Sequence, residues 1–214
     1  MNVQSSWQRI AAIYLALFAA TALAYFLGDR QLAAALKPIT GGVAFFPKLT
    51  HIVDILGPLA SVGVAVTAAR AMARGSLSPA EWTVLRIACA ILIAWALKEE
   101  LKWVCGRTWP ETWLKPANPS YFGDGTYGFF PFHGGQAYAS FPSGHTTAIT
   151  ALAGSLWVLC PRLRWLGAGL ALCVVVGLLG ADYHWLSDCI AGGTLGSTVG
   201  AVAAKIGRGE PEKG

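Results

Sequence analysis

Three short stretches of this sequence hold residues that could do chemistry together. Between Ala139 and Thr147 it reads ASFPSGHTT. Ser143 can cap a helix that starts at Gly144, and the glycine lets a bound group approach the backbone. The free N–H groups of that first turn form an anion site, with His145 beside it. The second stretch is HWLSD, with His184 and Asp188 four residues apart and therefore on one face of a helix. A carboxylate there accepts the proton of one ring nitrogen, fixes the tautomer and leaves the other nitrogen as a nucleophile. The third is KEELKWVCGR, which brings Lys98, Lys102 and Arg107 to the end of an apolar run. Lysine would supply charge to a phosphate, and arginine could clamp two of its oxygens. Each stretch also has a structural reading: a serine cap, a self-neutralising His–Asp pair, and cations that answer a helix dipole or snorkel to headgroups. With four histidines and no HExxH or aspartate pair, neither a metal site nor a cofactor is expected.

The elements that must position these groups are membrane helices. Of 214 residues, 55 % are hydrophobic and 13 % charged, where soluble domains carry roughly 25 % charge. Nine tryptophans and twenty-five glycines fit the same class. The net charge of +5 is spread between apolar runs, so attraction to anionic membrane lipids is expected and nucleic-acid binding is not. Five cysteines without CxxC spacing indicate no disulfide framework.

Six apolar runs are read as spans. The first, 10–28, is too long for a secretory h-region of roughly 7–15 residues and is expected to be retained. Residues 31–51 look like an interfacial connection with a short helix. The second span covers 52–72, with a bend expected at Gly57-Pro58. Ser78 and Pro79 open the third, which carries Arg86 and closes in the charged stretch 98–102. The fourth, fifth and sixth cover 144–160, 165–181 and 184–204, each near the roughly 20 residues needed to cross hydrocarbon. The long segment 104–141, rich in proline, glycine and aromatics, is expected to pack over the membrane surface. The chain thus reads as one all-α domain over residues 1–214, a six-span transmembrane helical bundle.

Six spans put both termini on one side, together with Arg9, Arg70, Arg74, Arg162, Arg164, Lys205, Arg208 and Lys213. The positive-inside rule makes that side cytoplasmic. The loop 104–141 and the three reactive stretches then face the periplasm or exterior of a bacterial cytoplasmic (inner) membrane.

PSGH at 142–145, followed 39 residues later by His184 and then Asp188, resembles the type 2 phosphatidic acid phosphatase (PAP2) superfamily. The resemblance covers about residues 102–188, and the six-helix layout extends it over nearly the whole chain. It implies a bundle of the PAP2 type in which His184 forms a phosphohistidine, Asp188 orients it, and His145 protonates the leaving oxygen. Ser143, the Gly144 amide and Lys102 would hold the phosphate. Two stretches depart from the family pattern: an arginine is expected where Trp109 stands before Pro110, and a Ser-Arg pair where Gly177 and Leu178 stand. Arg107 is the nearby cation expected to replace the first. The implied activity is hydrolysis of a lipid phosphate or diphosphate, such as phosphatidylglycerophosphate, phosphatidate, undecaprenyl diphosphate or lipid A phosphate. The partner is therefore an amphiphilic phosphorylated lipid; the oligomeric state stays open. A lipid phosphotransferase would share the intermediate. A non-enzymatic transporter or scaffold is the other alternative, against which stand the lack of an internal repeat and the clustering of polar groups at one surface.

Overall fold

The apolar runs fold as helices whose ends are set by short polar signals. A computed structural model describes residues 3–112 and 118–206; Arg208, Lys213 and the loop residues 113–117 lie outside them. Among the described residues the helices are α1 (Val3–Leu23), α2 (Asp29–Thr40), α3 (Phe45–Thr50), α4 (Leu56–Arg74), α5 (Pro79–Cys105), α6 (Tyr121–Asp124), α7 (Gly144–Leu159), α8 (Arg164–Gly180) and α9 (Leu186–Ala203). No strand is present among the described residues, and the all-helical architecture agrees with the sequence reading.

Among the described residues four segments are long and apolar enough to cross a membrane: Trp7–Thr40, Phe45–Arg74, Pro79–Cys105 and Pro161–Gly180. The protein is therefore multi-pass. The other two expected spans are α7 and α9, which lie at the centre of the bundle. With 16 residues α7 is about 24 Å long, short of the hydrocarbon thickness of about 30 Å. Both can be short or polar because other helices surround them. α9 lies directly against α7: a Cβ at Gly192, Gly196 or Gly200 would fall 2.6, 2.1 and 2.3 Å from the carbonyl oxygens of Ser143, Thr147 and Ala151. Glycine at every fourth position lets the two backbones touch, as small-residue stripes do in membrane helices.

Three expectations about boundaries are corrected. The first helix does not end at Gly28. A π-helical turn, Ala24–Gly28, joins α1 to α2, so residues 31–40 continue a helix rather than form a surface connection. Two polar residues of that extension face protein: Asp29 is buried, and Lys37 pairs with Glu111 at 2.8 Å and Asp182 at 3.2 Å. The Gly57-Pro58 pair lies in the first turn of α4, where proline's missing N–H breaks no intrahelical bond, and so does not bend a span midway. The last helix starts at Leu186 and not at His184. By contrast, Ser78 caps α5 as expected, accepting the Glu81 N–H while Glu81 accepts the Ser78 N–H, with Pro79 in the first turn.

The chain direction alternates. Tyr14 meets Thr198 and Asp29 meets Ser187, so the first helix runs antiparallel along α9. Arg86 donates to the Ile206 carbonyl, which puts the start of α5 beside the end of α9. The end of α5 and the starts of α7 and α9 therefore share the opposite end of the bundle, under the loop 104–141. The described part of that loop packs on the helix ends. Tyr127 stacks on Tyr25 at 5.1 Å between centroids and meets Trp185 edge-on at 4.8 Å.

Candidate active site

The start of α7 is shaped by its serine. The Ser143 Oγ accepts the Thr146 N–H and hydroxyl, while its carbonyl takes the Thr147 N–H. Ser143 itself donates its N–H to the Asp188 carbonyl at 3.1 Å, tying α7 to α9. Gly144 and His145 follow in the first turn, where backbone N–H groups precede the first intrahelical bond. Both residues line a cavity of about 190 Å³.

The same cavity is lined by Lys98 and Lys102 from α5, by Trp109 from the loop and by His184. Asp54, in the turn before α4, lies at its mouth with Oδ1 3.7 Å from the His145 Nε2. Lys98 is buried, with its ammonium over the Trp95 ring at 4.7 Å and paired to Glu99. A Cβ at Gly144 would meet the end of the Lys98 chain at 3.1 Å, so glycine here lets this lysine lie close against the start of α7. Lys102 Nζ stands 5.9 Å from the centre of the Trp109 ring, and that ring is 4.9 Å from His184.

His184 sits in the turn ahead of α9, and its Nδ1 is 3.3 Å from Asp188 Oδ2. The pair expected from the four-residue spacing is present, but a helical face does not make it. Asp188 instead sits at the third position of α9 and reaches back over its start, accepting the Trp185 N–H at 3.0 Å. That geometry leaves Nε2 as the ring nitrogen available to the cavity. Asp188 is fully buried and also accepts the Ser140 hydroxyl at 2.5 Å.

Arg107 is not where the sequence led us to expect it. Its side chain is fully buried behind Asp188 and does not line the cavity, so the phosphate-clamp expectation is corrected. One guanidinium nitrogen bonds Asp188 and the Ser187 hydroxyl; the other bonds Asp29 at 2.6 Å. Around the guanidinium stand the rings of Tyr25, Phe129 and Trp185, within 5.0, 4.9 and 5.5 Å. Burial acts to lower its pKa, and the Asp188 and Asp29 carboxylates outweigh that and hold it above its ordinary value. The Arg107 backbone also organises the loop, donating to the Tyr138 carbonyl and accepting the Ser140 N–H. The reason for the difference is steric: Gly106, at φ +56, turns the chain at the end of α5 and sends Arg107 inward.

Of the residues singled out, His184, His145, Lys102 and Gly144 meet at the cavity. Ser143 and Asp188 support it from behind, and Arg107 lies one layer deeper. Lys98, read from the sequence as a cation suited to phosphate, also lines it; Asp54 and Trp109 line it without having been assigned to it, and for Asp54 the available signal was a lone carboxylate at the start of an apolar run. No group of three or more metal-ligating side chains is found among the described residues.

A family model described as the PAP2 superfamily matches residues 83–210. The lipid A 1-phosphatase of Rhizobium johnstonii is 36 % identical over 91 residues, which cover 42 % of this chain and 37 % of that protein. The lipid A 1-phosphatase of Rhizobium etli is 34 % identical over 91 residues, covering 42 % of this chain and 39 % of that protein. The chain thus matches little more than a third of the length of these relatives. Among solved structures, the PAP2-type phosphatidylglycerolphosphate phosphatase of Bacillus subtilis superposes with a TM-score of 0.62 at 18 % identity, over 94 % of this chain and 98 % of that one.

Proposed function

Because the chain belongs to the PAP2 superfamily, we propose that it is a lipid phosphatase acting through a phosphohistidine at His184. The observation that carries this reading is the meeting of two histidines, two lysines and a helix N-terminus on one cavity. Lys98, Lys102 and the first-turn amides at Gly144 hold the phosphate oxygens. Asp188 keeps the proton on the His184 Nδ1, so Nε2 attacks phosphorus. As the N–P bond forms, the bond from phosphorus to the lipid oxygen breaks, and that oxygen takes a proton from His145. Water then attacks the phosphohistidine, giving its proton back to His145 and releasing phosphate. Asp54, near His145 Nε2, helps hold the proton on that ring.

The substrate is an amphiphile whose head enters the cavity while its chains stay in lipid, from the periplasmic or outer side of the membrane. A groove of about 250 Å³ adjoins the cavity and shares Lys102 with it, lined also by Glu99, Trp103, His133 and Gln136. It leaves room for a polar head larger than phosphate. A sugar phosphate of the lipid A 1-phosphate kind and a glycerol phosphate head both fit this description, and the names of the relatives point the same way. Purified protein tested for phosphate release against lipid A, phosphatidylglycerophosphate, phosphatidate and undecaprenyl diphosphate decides. Release from at least one, lost in His184→Ala, supports the reading. No release from any, by folded protein in lipid, overturns it.

A further inference from the structure

The buried layer behind His184 holds a residue that lies outside the segment matched by the family model. Asp29 opens α2, directly after the π-helical turn, and is 1 % exposed. A π turn re-aims the helix that follows it, and here it directs a carboxylate sideways into the bundle. Every side-chain oxygen of Asp29 is engaged. Oδ1 accepts the Ser187 N–H at 2.9 Å; Oδ2 accepts the Ser187 hydroxyl at 2.5 Å and the Arg107 guanidinium at 2.6 Å. Tyr127 stands 3.2 Å from the same oxygen and hydrogen-bonds the Tyr25 carbonyl at 2.6 Å. Burial raises the Tyr127 pKa.

The arithmetic of charge gives this contact its meaning. Arg107 is shared between two carboxylates, Asp29 and Asp188, so the buried cluster carries one net negative charge. Without Asp29 the guanidinium would neutralise Asp188 completely, and the carboxylate that touches His184 would lose most of its field. In a low-dielectric interior that difference is large. We propose that Asp29 is a positioning residue of the catalytic site: it shares the Arg107 charge with Asp188 and fixes the start of α9, so that Asp188 stays an effective anion against His184. The proposal rests on His184 as nucleophile, because positive charge develops on its ring as the N–P bond forms. It also explains why a helix outside the residues matched by the family model belongs to the site.

His184 is faced by Asp188 on α9, by Lys98 and Lys102 on α5, by His145 on α7 and by Asp182 in the turn after α8, with Asp54 across the cavity. These groups are the same in every variant below. The test reads the imidazole directly rather than turnover. Diethyl pyrocarbonate modifies neutral histidine, and peptide mass spectrometry of the full-length protein in lipid nanodiscs gives the pH midpoint for His184 alone. Asp29→Asn makes the cluster neutral, so the midpoint falls by on the order of one pH unit. Arg107→Gln makes the cluster more negative, so the midpoint rises. The double variant regains the parent's net charge, and its midpoint returns to within a few tenths of the parent value. Each variant carries its own expectation, so one that does not fold leaves the others to decide. An unmoved midpoint in Asp29→Asn, or shifts of one sign in all three, would reduce Asp29 to a helix-end contact. Because no substrate is needed, that result is distinguishable from failure of the phosphatase reading, which would appear as normal midpoints without phosphate release.

Discussion

Two charged clusters in this membrane protein sit at opposite ends of α5, and they are built on different plans. At the start of the helix Glu81 is paired with Arg70 at 2.8 Å and Arg74 at 3.2 Å and closes a capping box with Ser78. Its surplus positive charge is on arginines whose side chains are 52 % and 59 % exposed, free to meet water or headgroups. At the end of the helix Lys98 and Lys102 meet two histidines around a cavity, and Lys98 is 5 % exposed. Lys98 is paired to Glu99, yet two ammonium groups still converge on open space where an anion can reach both. One cluster finishes a helix; the other surrounds an open cavity. The comparison also explains why Arg107, though cationic and near the site, belongs to the first kind: it is fully balanced by Asp29 and Asp188.

Substitutions at the two ends should therefore separate activity from stability. After loss of the nucleophile itself, the largest effect is expected at His145. Its replacement by alanine should lower kcat/KM by on the order of 10³-fold on an alkyl phosphate, since general acids contribute roughly 10²–10⁴. With an aryl phosphate, whose leaving group needs little protonation, the loss should shrink by at least tenfold. An equal loss on both would remove His145 from the proton-donor role. Next comes Lys102→Ala, expected to cost on the order of 10² in kcat/KM through lost stabilisation of charge on the phosphate oxygens. A Lys102→Ala enzyme within threefold of the parent would move that role to Lys98. The smallest catalytic effect belongs to the other cluster. Ser78→Ala should lower stability by about 1 kcal/mol, read as a lower Tm, and change kcat/KM less than threefold. A tenfold loss of activity there would break the separation between the two ends.

How much of this was legible in the sequence depends on how far apart the interacting residues lie. Ser78 and Ser143 were readable as caps because a cap bonds only three residues ahead. The His184–Asp188 pair was readable for the same reason, although the turn ahead of α9 and not a helical face creates it. The lysine end of α5 was readable as a cation cluster, but only packing against Gly144 shows that Lys98 joins Lys102 in the cavity. Asp29 was not readable at all as part of the site, since its partner Ser187 is 158 residues away. Arg107 was misjudged because spacing gives the residue's address and not the direction of its side chain; Gly106 decides that. The glycine spacing at 192, 196 and 200 was a signal present in the sequence and left unused, and it marks the tightest helix contact of the core.

The central claim is that the cationic cavity serves a covalent step at His184. The parent protein, mixed with a ³²P-labelled lipid phosphate and quenched within milliseconds to seconds, should carry acid-labile, alkali-stable label. Peptide mapping should place that label on the segment containing His184, and His184→Ala should carry none. Label of equal amount in both proteins, or label mapped to His145, would contradict the account.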